Sequence, residues 1–463
     1  MSLNLSSQSK LFDLRLALRP LGALLSFEAV FILFLISVNY KSDPWLSRFP
    51  IDSTIVFFVL GVAMGLVIIY REGIYLPGLT VVSLLLVFMA WVLLTGLWTP
   101  SEIYAREKLF KLATLNLWSV IAAAMIIANR PERVRRLLAL VLVFGAAAAL
   151  YAIARYSGLA RYDPGLDAFS VNEAFSASFR LENNLGQARF YGMGAVVAFA
   201  AWLQTSPFSK RGIALMAAFL ICCFGLLISG GRGPTLSTLV AMMLPLALGL
   251  RFADRRLLAS KALVASFALL VVLIVALWQG AQDYSGNLRT LERLNTLFTQ
   301  AEGGASAAGR LGFWRSFGHL WLEQPVFGNG VGSWPVLYWG KDVGWHPHNL
   351  IVEVLVEFGF IGLLLLGAVG VAAASRISMR RLREDPVLMC AAMLCIVTFL
   401  AAMTSSDITG NRSVFAMFGL LVMRPYGRAR AVDAENRARD LGSSGEPRSN
   451  LPQGVPSPGG SRL

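Results

Sequence analysis

Blocks of about 20 apolar residues, separated by short polar breaks, recur along almost the whole 463-residue chain. A hydrocarbon core needs ~20 residues of helix to cross it. Lipid offers no partner to a free N–H or C=O, so each crossing segment must close its own hydrogen bonds. Long Leu/Val/Ala/Gly blocks do that as helices, whereas barrel strands are shorter and alternate in polarity. Composition agrees: 56% of residues are hydrophobic and 15% charged, where a soluble chain carries roughly 25% charged. The expected fold class is all-α, a polytopic membrane protein of about 12 transmembrane helices.

Apolar blocks between polar breaks place spans at 22–39, 53–70, 79–97, 107–128, 137–156, 187–206, 212–229, 235–250, 262–279, 350–374, 386–404 and 412–424. The organisation expected from them is a cytoplasmic N-terminus (1–21), helices 1–9 (22–279), a loop domain (280–349), helices 10–12 (350–424) and a cytoplasmic tail (425–463). The tail is rich in Arg, Ser, Pro and Gly, the composition of disordered chain. No small-residue cleavage pattern follows the first block, which therefore reads as an uncleaved anchor.

Charge assigns the sides. Alternate connections collect Lys10, Arg15 and Arg19; Arg71; Arg130, Arg133, Arg135 and Arg136; Lys210 and Arg211; Arg251, Arg255, Arg256 and Lys261; and Arg376, Arg380, Arg381 and Arg383. By the positive-inside rule these connections and both termini are cytoplasmic. The net charge of +14 is this topological signal plus attraction to anionic headgroups, not a nucleic-acid footprint. Cys222, Cys223, Cys390 and Cys395 all fall in spans, which excludes a disulfide framework for the outer loops.

With both termini inside, even-numbered spans begin on the outer face. A helix start favours an anion, because its first N–H groups are unpaired and the dipole is positive there. Four starts carry distinctive residues. Arg180-Leu-Glu-Asn-Asn-Leu-Gly-Gln-Ala-Arg189 enters the sixth span, with Asn183 or Asn184 as candidate cap. Ser229-Gly-Gly-Arg232-Gly-Pro-Thr enters the eighth, where glycines permit a tight turn and Pro234 suits a first helical position. Arg232 there is an anion contact or, on the blander reading, a snorkelling boundary residue. His346-Pro-His348-Asn349 enters the tenth: Asn349 is a good N-cap, and the positive helix end favours a neutral His348 able to accept a proton. Asp407-Ile-Thr-Gly-Asn-Arg412 enters the twelfth.

Two of the three histidines in the chain stand at 346 and 348. His319 or a carboxylate would have to complete a metal site with them, and the spacing matches no metal motif, so no metal and no cofactor are expected. Apolar residues at 313, 314, 317, 320 and 321 follow helical spacing, which predicts an amphipathic helix in the interface, opened by Arg310 and containing Arg315. Arg310 lies off that stripe, as an anion contact or a solvated charge. Gly328-Asn-Gly-Val-Gly332 lacks a strand–helix context and reads as a turn. Glu353 and Glu357 share one helix face in a span, either as functional groups or as partners of an arginine.

Together these segments resemble the O-antigen ligase and polymerase superfamily of bacterial envelope proteins. The matching pieces are Trp98-Thr-Pro100 with 102–111, Ser229-Gly-Gly-Arg232-Gly, and Arg310…Trp314…Gln324-Pro-Val-Phe-Gly328-Asn-Gly-Val-Gly332. His348-Asn-Leu-Ile-Val-Glu353 and Glu357-Phe-Gly359-Phe-Ile-Gly362 complete the set. The resemblance implies a glycosyltransferase-C-like fold in the bacterial inner membrane, with a large periplasmic loop between helices 9 and 10 and a periplasmic active site. It also implies a glycan donor carried on undecaprenyl diphosphate, and lipid A–core or another glycan as acceptor. Arginines suit the departing diphosphate because their guanidinium forks match phosphate oxygens.

The expected site is therefore His348 as general base with Arg232 and Arg310 as catalytic cations. Arg180, Asn184, Arg189, Arg315, His346, Asn349, Glu353 and Arg412 are the expected substrate contacts. A single candidate base without an adjacent carboxylate nucleophile predicts a metal-independent, inverting transfer; ligation is the first expectation and polymerisation the second. A membrane transporter is the rival class, disfavoured because the polar residues concentrate at outer helix starts rather than at broken mid-membrane helices.

Overall fold

The computed structural model describes residues 25–40, 51–156, 173–249, 251–253, 256–258 and 305–424. The span expected at 262–279, the tail and much of the outer loops lie outside these residues. The described helices are α1 (Phe27–Ser37), α2 (Ser53–Glu72), α3 (Leu76–Thr95), α4 (Ile103–Ile127), α5 (Pro131–Tyr156), α6 (Glu173–Trp202), α7 (Lys210–Ser229) and α8 (Arg232–Gly249). They continue with α9 (Ala305–Glu323), α10 (Trp334–Trp339), α11 (Leu350–Ala374), α12 (Met379–Glu384), α13 (Pro386–Ala402) and α14 (Arg412–Leu420). One local departure from the all-α expectation is an antiparallel pair of short strands, β1 (Arg251–Ala253) and β2 (Arg256–Leu258).

Six of these helices, α2, α3, α4, α5, α7 and α11, are long and apolar enough to cross a membrane. The chain is a multi-pass helical membrane protein. Only 17% of the α2 membrane window is covered by protein, so Ile55, Val59 and Leu66 stand outward as a lipid-facing helix requires. The interior is built around Phe31, Phe34, Phe88, Trp118 and Phe358, all buried.

Helix boundaries differ from expectation where tertiary partners intervene. α4 starts at Ile103 rather than 107, because Asp342 from a distant loop caps its first N–H groups. It also contains two π-helical stretches, Leu112–Asn116 and Ala122–Ile127. α6 already runs from Glu173, so Asn183 and Asn184 are interior helical residues and do not cap it. α9 begins at Ala305, and Arg310 therefore lies inside the helix rather than opening it. Arg232 is the first residue of α8, with Pro234 in the first turn. α11 begins and ends where the sequence placed it.

One end of the bundle holds the basic connections. There Glu72 pairs with Arg130 (3.1 Å) and Arg133 (2.6 Å), and buried Glu28 pairs with Arg133 and Arg136. The other end is organised by a break in α11. Gly359 has φ 67° and ψ −167°, a region open essentially to glycine alone. A helix broken in this way frees carbonyls and N–H groups that lipid cannot satisfy. The 325–330 turn supplies the partners. Asn329 and Gly330 N–H donate to the Val356 and Glu357 carbonyls (2.8 and 2.9 Å), and Phe360 N–H donates to the Pro325 carbonyl (2.9 Å). Trp91 Nε1 donates to the Phe358 carbonyl and Trp98 Nε1 to the Gly328 carbonyl, both at 2.9 Å. The glycine-rich turn is thus threaded against the helix break, where side chains at 328 and 359 would collide with backbone.

Candidate functional site

Three segments converge at this second end: the 340–349 turn before α11, the 403–411 turn between α13 and α14, and the start of α4. Asp342 anchors the first. Its carboxylate accepts hydrogen bonds from Ser101 Oγ (2.7 Å) and the backbone N–H groups of Glu102, Ile103 and Tyr104 (2.8, 2.8 and 3.2 Å). Burial acts to raise the Asp342 pKa, but those four donors hold it below the usual carboxylate value. From this anchor the chain runs through Trp345 to His348, which adopts φ 55°. Asn349 then caps α11, its Oδ1 accepting from Ile351 and Val352 N–H at 3.0 and 3.1 Å.

The two histidine rings lie 4.4 Å apart, centroid to centroid, with Trp345 and Phe313 rings 6.0 and 6.2 Å from His348. The apolar stripe of α9 supplies that wall: Phe313, Phe317, Leu320 and Trp321 pack with fully buried Trp334 and with Val356. Those side chains face protein rather than only the membrane interface. Arg315 and His319 are exposed on α9.

The 403–411 turn gathers the arginines. Arg189, in the middle of α6 and 6% exposed, donates through both guanidinium arms, Nη1 to Asn411 Oδ1 and Nη2 to Ser405 Oγ, each at 2.8 Å. Next in sequence, Arg412 opens α14, buried against the Phe34 ring at 5.1 Å. Neutral oxygens orient the Arg189 guanidinium, while Arg412 also feels the carboxylates of Asp52 and Asp407. Arg232 joins the group through backbone packing: Gly231 is seated on Ala188 and Gly233 on Thr404, so tightly that a Cβ at 233 would lie 2.1 Å from Thr404 Oγ1.

Asp407 connects the arginine side to the histidine side. Its carboxylate accepts from Tyr104 OH (3.2 Å), Thr409 Oγ1 (2.6 Å) and Gly410 N–H (2.7 Å). Burial opposes its ionisation, yet His346, Lys108 and these donors keep its pKa below the usual value. Burial in turn pushes His346 down to about 4, outweighing the attraction of Asp407. His346 is therefore neutral at neutral pH, and Lys108 and Arg412 are cations whose charge Asp407 meets.

Lys108 itself is wholly buried on α4, with Nζ 2.5 Å from Glu353 Oε1 and 2.6 and 2.7 Å from the Glu357 carboxylate oxygens. Glu353 Oε2 also accepts from Ile408 N–H, and Glu357 Oε2 from Gly332 N–H, both at 2.9 Å. Sequence reasoning offered an arginine as partner for the two glutamates and left out Lys108, Tyr104, Asp342 and Asn411. A partial signal was present: Lys108 falls inside the apolar block expected at 107–128, four residues after Tyr104.

Of the expected site residues, Arg189, Arg232, His346, His348, Asn349, Glu353 and Arg412 are brought to one end of the bundle. Arg315 lies outward on α9. Arg180, Asn184 and Arg310 have helical backbones, but their side chains lie outside the described set. The arrangement provides arginines on one side and, on the other, a neutral His346 with His348 beside a helix start.

Residues 217–367, which include Arg232, the His346–Asn349 turn and both glutamates, match the family model described as O-Antigen ligase. The "Exopolysaccharide production protein ExoQ" of Rhizobium meliloti (strain 1021) is 31% identical over 242 residues, 49% of this chain and 51% of that protein. The chain thus spans about half the length of the curated relative it matches. Over these parts of its length the chain is similar to the O-antigen ligase family and to an exopolysaccharide production protein.

Proposed function

We propose that this protein transfers a glycan from undecaprenyl diphosphate to an acceptor hydroxyl on the periplasmic face of the bacterial inner membrane. The observation that carries the reading is the 403–411 turn, whose Asn411 and Ser405 orient the buried Arg189 guanidinium at the same end of the bundle as the histidine-bearing start of α11. The acceptor oxygen attacks the anomeric carbon as its proton passes to His348. The bond from that carbon to the diphosphate breaks, and the diphosphate departs with the electron pair. Arg232 and Arg310 stabilise the charge gathering on it, aided by the field of Arg189 and Arg412 and by outer contacts from Arg180, Asn184 and Arg315. Each charge-assisted hydrogen bond contributes ~1.5–3 kcal/mol, so two acting on the leaving group give roughly 10²–10⁴-fold. His346 and Asn349 shape the acceptor side. Glu353, engaged by Lys108, holds the frame rather than the sugar. One attack at carbon inverts the anomeric centre, and arginine charge makes a divalent metal unnecessary.

Ligation to lipid A–core is the first reading, following the description of the matched family. The name of the exopolysaccharide relative favours a second, the joining of lipid-linked repeats into a polymer. The test uses purified protein in vesicles with a lipid-linked glycan. His348→Ala and Arg232→Ala are each expected to lose at least ~100-fold in turnover, with EDTA leaving wild type unaffected. Normal product from both variants would sink the site assignment, and a retained anomeric configuration would sink the single displacement. A gene deletion separates the acceptors. Accumulated long lipid-linked chains indicate ligation, and accumulated single repeats indicate polymerisation.

A further inference from the structure

We propose that Lys108 is a positioning residue of the transfer site, binding Glu353 and Glu357 together and so holding two turns of the outer end in register; this rests on the transferase reading above. The geometry is that of a node. Through Glu353, Lys108 reaches the Ile408 N–H of the 403–411 turn, and through Glu357 the Gly332 N–H of the glycine-rich turn. Both glutamates lie on the first two turns of α11, directly after His348 and Asn349. The groups facing the ammonium are Glu353, Glu357, Asp407, His346 and the Tyr104 ring, whose centroid is 4.9 Å away. No other described cation lies within ion-pair distance of the two glutamates.

Stability alone does not explain such a node. A buried ion pair can often be replaced by apolar groups without loss, because desolvation offsets the attraction. What apolar packing does not supply here is register. The joined turns, Gly328 to Gly332 and Thr404 to Asn411, are mostly small or polar residues with little side chain to interlock. An ammonium within 2.7 Å of three carboxylate oxygens fixes them relative to α4. The distance between the histidine side and the arginine side is then set by Lys108, which touches neither donor nor acceptor.

The test compares wild type, Lys108→Met and the triple variant Lys108→Met/Glu353→Gln/Glu357→Gln, whose node is uncharged, in nanodiscs. Three readouts are taken: turnover, donor KM, and hydrogen exchange at 328–333 and 404–411. For Lys108→Met we expect kcat to fall at least ~30-fold with donor KM changed less than ~3-fold, and faster exchange confined to those turns. The triple variant is expected to regain the wild-type melting temperature but not its kcat. Wild-type kcat in Lys108→Met, recovery of kcat in the triple variant, or failure of both variants to fold would each overturn the proposal. His348→Ala is measured alongside: wild-type turnover there defeats the transferase site, whereas an inactive His348→Ala with a normal Lys108→Met defeats only the role of Lys108.

Discussion

Replacing Gly359 by alanine addresses the feature that shapes the end of the bundle opposite the basic connections. At φ 67° and ψ −167° an L-residue is strained by ~1–3 kcal/mol. Its Cβ would also lie 2.3 Å from the Val326 carbonyl oxygen and 2.5 Å from Gly328 N. Relief requires the 325–330 turn to withdraw, which strands the N–H groups of Phe360 and Ile361, now bonded to the Pro325 and Val326 carbonyls. Each stranded donor costs ~1–3 kcal/mol, so the sum is at least ~3 kcal/mol. That corresponds to roughly 100-fold faster amide exchange through 325–330 and 356–361, together with loss of transfer. Gly367→Ala in the same helix is the control: nothing lies within 4 Å of its added Cβ, and the gain in helix propensity is ~0.5–1 kcal/mol. Wild-type exchange in Gly359→Ala, or equal damage in Gly367→Ala, would refute the argument that the helix break is held open by the turn.

Other outcomes follow from the same geometry. Arg189→Lys keeps the charge but loses the fork that reaches Asn411 and Ser405 at once; turnover should fall ~10–100-fold, the equivalent of one charge-assisted bond, while the melting temperature moves little. Asp342→Ala removes the cap of α4 and should cost about 0.5–2 kcal/mol, read as lowered thermal stability with faster exchange at 101–105. His346 is held neutral with a folded pKa of about 4 against 6.5 unfolded. The unfolded chain therefore binds more protons between these values, so its contribution is full above pH 6.5 and is lost as pH falls toward 4. Melting temperature against pH should show that acid limb in wild type and a shallower one in His346→Gln.

The membrane class, most helix positions and the start of α11 are legible in the sequence because hydropathy and the Asn349 cap act locally. The beginning of α4 is not, since its cap is Asp342, some 240 residues away. The start of α6 was misread because Asn183 and Asn184 satisfy a capping pattern that the helix simply continues through. The arginines and histidines were recognised as separate helix starts. What joins them, Asp407 and the Lys108 node, depends on segments that meet only after folding. Glu353 and Glu357 were recognised as a pair on one face, and only the tertiary fold supplies a lysine rather than an arginine to answer them.

The central claim is that the outer end cleaves a glycan from a carrier diphosphate and hands it to a hydroxyl. Its most direct measurement counts polyprenyl diphosphate released against new glycosidic bonds, using purified wild-type protein and a defined lipid-linked donor. The account predicts one diphosphate per bond, released only when an acceptor is present and abolished in His348→Ala. Release of the monophosphate, or bond formation with no carrier released, would contradict it.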